Sequence, residues 1–276
     1  MIARRGMLAM LAGAALAPRS GASRPGLWAD RATAWPLPLA GLAIAALLAS
    51  IAPAAAQNGQ PAGWKAVLIA GDDAERAFDN AVDAMADKLH SFGVPRKDIA
   101  ELKASGEGAP VASQSNIAAA FAHLDPGPRD GCFFFMTSHG ERGRGLVLAR
   151  ERAVLMPLWL GQLLGQACGA RPTVAIVSGC FSGVYAENSP LDLPNRVILT
   201  AARADRPSFG CNAHRQYTIF DKCLLGSLDR GLPWRAVMDV TRTCVSGKEF
   251  DMGVKNPSEP RLFIGADERK LLAFQP

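Results

Sequence analysis

Cys132-Phe133-Phe134-Phe135-Met136-Thr137-Ser138-His139-Gly140 is the stretch on which the fold turns. From Cys132 to Met136 it is apolar without alternation, which suits a strand covered on both faces and not one with a wet side. A sheet buried on both faces needs helices on each, so helices and strands should alternate along the chain. They do. Upstream, Lys65-Ala66-Val67-Leu68-Ile69-Ala70-Gly71 reads as a strand closed by Gly. Phe78, Val82, Met85, Leu89 and Phe92 then recur at helical spacing until Gly93 and Pro95 stop them. Ser115 is expected to cap a second helix carrying Ile117, Phe121 and Leu124, ended by Asp125-Pro126-Gly127-Pro128.

Downstream, a helix through Leu158, Leu163, Leu164 and Ala167 leads to the strand Thr173-Val174-Ala175-Ile176-Val177. Arg196 to Ala201 gives another strand. Helical stretches follow around Phe220–Leu228 and Trp234–Cys244, and Arg261 to Ile264 adds a last strand. The order predicts a mostly parallel α/β sheet. In such sheets ligands and chemistry sit beyond the carboxyl ends of the strands. Two of those ends stand out: Thr137-Ser138-His139-Gly140, and Ser178-Gly179-Cys180-Phe181-Ser182-Gly183. One crossover joins the two strands, so His139 and Cys180 should face the same water.

A thiol with a nearby imidazole is a nucleophile with its own acid and base. Gly179 and Gly183 keep bulk away from it, so a substrate backbone can approach and backbone N–H groups can serve an oxyanion. Other thiol and elbow chemistries fit less well. No Arg follows Cys180 within residues 181–187 to hold a phosphate, and Ser178 and Ser182 stand where a hydrolase elbow needs Gly. A structural Cys beside a satisfied His is the plain alternative, with the fold serving as a non-catalytic binding module.

The whole chain bounds these readings. Its 276 residues are 49% apolar and 20% charged, with 27 Gly and 19 Pro, which excludes a disordered, collagen-like or coiled-coil chain. The formal charge of +5 suggests nucleic acid at first sight, but Arg4, Arg5, Arg19, Arg24 and Arg31 face only Asp30 within residues 1–56. The remainder is nearly neutral, so no nucleic-acid partner is expected. Residues 1–56 read as a signal or targeting leader, with an apolar run from Trp35 to Ala56 ending in Ala54-Ala55-Ala56. Cleavage before Gln57 and export to the periplasm or medium is the expectation, and retention as a membrane anchor is the alternative. Residues 57–276 are then a single domain.

Ser138-His139-Gly140-x-x-Gly143, followed after the next strand by Cys180-x-Ser182-Gly183, resembles the legumain (C13) family of cysteine peptidases, within the caspase-like clan. The resemblance runs from about Trp64 to Leu228 and takes in Ala70-Gly71, Phe92-Gly93-Val94-Pro95, Leu199-Thr200-Ala201-Ala202 and Ser208-Phe209-Gly210-Cys211. It implies a caspase-like three-layer α/β/α fold with a mostly parallel central sheet. It also implies a cysteine endopeptidase acting on peptide or protein substrates through a thioester acyl-enzyme, or a transpeptidase using the same dyad, with no metal or organic cofactor. Cys180 would be the nucleophile, His139 the acid and base, and the N–H groups of Gly140 and Cys180 the oxyanion donors. Where the family carries an Asn that orients the His, this chain has Asp72-Asp73, so Asp73 is the candidate for that place and helix capping the alternative. Phe181 replaces the family's Glu after the nucleophile. Asp79, Ser208 and Asp221 are the substrate-binding candidates. Two carboxylates there would favour Arg or Lys before the scissile bond, with Asn the competitor.

Six cysteines in an exported chain point to disulfides, and reserving Cys180 leaves an odd number. Cys132 is expected to pack as a small apolar residue, and Cys211 with Cys223 is the candidate pair. Cys211, His214 and Cys223 lack a fourth ligand for zinc.

Overall fold

A computed structural model describes residues 60–211 and 215–274. The leader and its proposed cleavage point lie outside the described residues, as does His214. The first strand, β1 (Gly63–Ala70), lies between β2 (Ile99–Lys103) and β3 (Asp130–Thr137), and all three are parallel. Next to β3 come β7 (Thr173–Ser178) and β8 (Arg196–Thr200), also parallel, and then β9 (Arg261–Ile264), which closes the far edge antiparallel. The sheet is therefore mostly parallel. A small antiparallel sheet of β4 (Gly140–Glu141), β5 (Gly145–Leu148) and β6 (Ala153–Leu155) follows β3 directly.

Helices cover both faces, as the unbroken apolar strands require. On one side α1 (Arg76–Ser91), α4 (Ile219–Ser227) and α5 (Trp234–Asp251) bury Phe78, Leu224 and Trp234 against Leu68, Phe133 and Leu199. On the other, α2 (Gln114–Ala122) and α3 (Pro157–Cys168) bury Phe121 and Leu164 against Ile69, Phe134 and Ala175. Alternate residues of each strand feed the two cores, and Phe133, Phe134 and Phe135 are all fully buried or nearly so. This is the three-layer α/β/α architecture of a caspase-like fold.

Three sequence expectations are corrected. Ser113, not Ser115, caps α2, its hydroxyl accepting from the Asn116 N–H at 3.2 Å. Cys132 pairs with Cys168, joining the start of β3 to the end of α3. Cys223 pairs with Cys244 across α4 and α5, not with Cys211. Cys180 and Cys211 are free thiols. Neither disulfide follows from spacing, because six cysteines allow many connectivities.

Candidate active site

The site is built from a register. Thr137 of β3 lies opposite Ser178 of β7, and Ala70 of β1 lies opposite Thr137 on the other side. One residue beyond these ends, Gly71, Ser138 and Gly179 form a second row. The Ser138 N–H donates to the Ser178 carbonyl at 3.1 Å, and the Gly71 N–H donates to the Thr137 carbonyl at 3.0 Å. The row is too crowded for side chains at its two glycines. A Cβ on Gly71 would meet the Val147 carbonyl at 2.4 Å, and one on Gly179 would meet the Ser138 carbonyl at 2.5 Å. One residue further on stand His139 and Cys180, at equal offsets beyond paired strand ends.

The small sheet holds this edge in place. The Val147 N–H donates to the His139 carbonyl at 2.8 Å, and the Ser138 hydroxyl donates to the Val147 carbonyl at 2.8 Å. Tyr185, fully buried, accepts from the Leu146 N–H at 2.9 Å and donates to the Leu155 carbonyl. Burial pushes its phenol well above the ordinary range.

Cys180 is half-buried and its sulfur lies against the main chain of Ser208. The Ser208 N–H donates to Sγ at 3.3 Å and the thiol donates to the Ser208 carbonyl at 3.4 Å. Phe181, directly after it, has φ 58°, a left-handed conformation that a bulky side chain rarely adopts. Its N–H donates to the Arg206 carbonyl at 2.8 Å, and the Arg142 guanidinium sits 4.5 Å above its ring. Buried Ser182 accepts from the Ala202 N–H at 3.1 Å, which fastens the turn after Cys180 to the end of β8.

The His139 ring stands edge-on to the Phe78 ring, with centroids 5.2 Å apart. Among the described residues it makes no side-chain hydrogen bond. Asp73, the expected orienting carboxylate, is turned elsewhere and pairs with Arg150 at 2.8 Å. Asp72 accepts from the Ala74 N–H at 2.8 Å, a local turn closure. The position of His139 is therefore set by packing on the first turn of α1 and by its own main chain.

The three substrate-binding candidates separate. Ser208 lies at the site through its main chain. Asp79 does not: its surroundings are Ser105, Lys103, Asp83 and Glu107, on the β2 side of α1, and burial raises its carboxyl. Asp221 has no exposed surface. It accepts from the Thr137 hydroxyl at 2.7 Å, and its own N–H donates to the Thr218 hydroxyl that caps α4. Burial pushes its carboxyl up against the opposing hydroxyls of Ser178, Thr137 and Thr218. It is an interior anchor below the strand ends, so direct ion pairing with an incoming side chain is not its role.

One group at the site was not singled out by any motif. Glu75 is the N-cap of α1, three residues before Phe78, and its buried Oε2 has no hydrogen-bond partner. A Glu at an N-cap is a poor capping residue, which is the only sequence signal it carries. No cluster of His, Cys, Asp and Glu among the described residues has the arrangement of a metal site.

Fold and site together define a caspase-like α/β protein with His139 and Cys180 at equal offsets beyond two adjacent strand ends of its carboxyl edge. The Peptidase C13 family matches residues 111–228, a span that holds His139, Cys180 and Ser208. The crystal structure of caspase-1 from Spodoptera frugiperda is similar over 79% of this chain and 92% of that chain, with a TM-score of 0.52 and 13% identity. At that identity the likeness is one of fold. No curated protein matches the chain. Residues 111–228 are thus similar to the C13 peptidases, a family of cysteine peptidases, and the chain as a whole has a caspase-like fold.

Proposed function

We propose that the protein is a cysteine endopeptidase in which Cys180 attacks a peptide carbonyl and His139 handles the proton. The observation that carries this is the register: His139 and Cys180 each stand two residues beyond the paired residues Thr137 and Ser178. Their separation is thus fixed by the sheet and not by loops, as a reacting pair requires. In the reaction, the Cys180 sulfur forms a bond to the carbonyl carbon as its proton passes to His139. The tetrahedral oxyanion is met by backbone N–H groups at Gly140 and Cys180. His139 then gives the proton to the leaving amine as the C–N bond breaks, leaving a thioester. Water, deprotonated by His139, releases the acid and restores the thiol. The Cys180 N–H has no other acceptor among the described residues.

In the resting arrangement the thiol is held by Ser208 and not by the imidazole, so substrate must displace the Cys180–Ser208 contacts as it seats. Export with loss of residues 1–56 is part of the same proposal. The described residues hold no helix long and apolar enough to cross a membrane. The test of the enzyme is a mass-spectrometric digest of a peptide library by the wild type and by Cys180→Ala. We expect cuts from the first and none from the second, and equal cutting would end the peptidase reading.

A further inference from the structure

Glu75 is placed as a capping residue but does not cap. Its backbone is extended, its side chain makes no bond to the first turn of α1, and Oε2 is buried without a partner. No described lysine or arginine pairs with it. A carboxylate oxygen withdrawn from water and given no donor is unfavourable unless something else supplies the donor. Three contacts place the start of α1, and Glu75 with it, beside the site. Phe78, one turn on, lies against His139. Asn80 donates to the Gln216 carbonyl at 3.0 Å, which brings the same turn of α1 against the segment after Ser208. Cys211, in that segment, is a half-buried thiol packed on the same core.

Cys211 reports what surrounds it. Burial is the main cause that pushes its thiol up to about 12, and Cys180, Asp221 and Glu75 act in the same direction. The nucleophile, the two carboxylates and this thiol are therefore electrostatic neighbours. Every charge that raises Cys211 is negative. Asp221 is wholly buried, with the hydroxyls of Thr137, Ser178 and Thr218 facing its carboxylate. Glu75 is the one of the two that the outside can reach, and Asp221 contributes from behind.

We propose that Glu75, backed by Asp221, is the acceptor for a basic side chain beside Cys180, so that the protein cuts after Arg or Lys. The inference rests on the peptidase reading above and adds its substrate class. A guanidinium brings five N–H donors and an ammonium three, and either would satisfy the orphaned oxygen while neutralising the site. An Asn side chain brings two donors and no charge.

The test has two arms. Peptides differing only in their last residue before a fluorogenic leaving group, ending in Arg, Lys, Asn or Leu, are compared with the wild type, Glu75→Gln and Asp79→Asn. We expect Arg and Lys to be cut fastest by the wild type, the Arg-to-Asn ratio of kcat/KM to fall at least tenfold in Glu75→Gln, and Asp79→Asn to leave that ratio unchanged. Faster cutting of the Asn or Leu peptide, or an unmoved ratio in Glu75→Gln, overturns the inference. The second arm needs no catalysis: agmatine binding to Cys180→Ala is compared by calorimetry with binding to Cys180→Ala/Glu75→Gln. At least tenfold weaker binding in the double variant supports the acidic site, and equal or absent binding overturns it. If no peptide is cut while agmatine binding depends on Glu75, the peptidase reading fails and the cation site stands.

Discussion

Gly140 touches the main chain of Cys180 so closely that a Cβ built on it would lie 1.9 Å from the Cys180 carbonyl oxygen and 3.1 Å from its nitrogen. The residue after the imidazole is thus fitted to the residue bearing the thiol, backbone to backbone. Gly140→Ala should push the two strand ends apart while leaving both cores intact. The expected result is a fall in kcat/KM of at least about 100-fold with a nearly unchanged melting temperature, since misplacement of a reacting group by about 1 Å has that effect. Activity within a few-fold of wild type would show that the contact does not position the nucleophile.

Asp73 gives the opposite expectation. Its partner is Arg150, in a pair whose side chains are 35% and 48% exposed, and pairs of that kind contribute about 0–1 kcal/mol. Asp73→Ala should change kcat/KM by no more than about threefold, the discrimination expected if it is outside the reacting group. A large loss, with a shifted pH profile restored by Asp73→Asn, would return Asp73 to the imidazole.

The two free thiols should differ in reactivity. With its thiol pushed up to about 12, Cys211 exposes only on the order of one thiolate in ten thousand at pH 8. Iodoacetamide should leave Cys211 unlabelled on the timescale that labels a free cysteine peptide. A non-reducing digest of the same protein should contain the Cys132–Cys168 and Cys223–Cys244 peptides. Labelling of Cys211 at the peptide rate would place it in water.

Glu268, 5% exposed, is pushed up to about 7, by burial first and by Asp267 second. The folded state therefore favours the neutral acid. The stability this contributes is complete below the ordinary value of 4.5 and is lost as pH rises through 7. Glu268→Gln should flatten that slope and be more stable than wild type at pH 8, by up to about 3 kcal/mol. Denaturant unfolding at pH 4.5 and pH 8 checks it, and parallel curves for both proteins would contradict it.

Much of this architecture was legible in the sequence, for a physical reason. Strands such as Phe133-Phe134-Phe135 and Val174-Ala175-Ile176 are buried on both faces and read as apolar runs whatever their neighbours. The edge strand Ile99-Ala100-Glu101-Leu102-Lys103 carries Glu101 and Lys103 and gave no such run. The hairpin from Gly140 to Leu155 is made of very short strands and glycines, so it too was invisible. At the site, Cys180 and His139 stood out because each ends a readable strand. The environments of Asp73, Asp79 and Asp221 did not, since which way a carboxylate turns depends on partners such as Arg150, Ser105 and Thr137 that are remote in the chain. Family position alone put Asp73 beside His139 and Asp79 and Asp221 at the substrate, and packing assigned each a different neighbour.

The Cys132–Cys168 bond closes a covalent ring of which His139 is a member and Cys180 is not. Within that ring, Arg142, Gly143 and Arg144 are exposed at the hairpin tip. A backbone break there would put the imidazole on one fragment and the thiol on the other, yet the fragments would remain one molecule through sulfur. The protein is thus wired to survive a cut in this exposed loop as a two-chain species with His139 and Cys180 still held at matched places across β3 and β7. In reducing surroundings the same cut would leave that pairing to hydrogen bonds and packing alone.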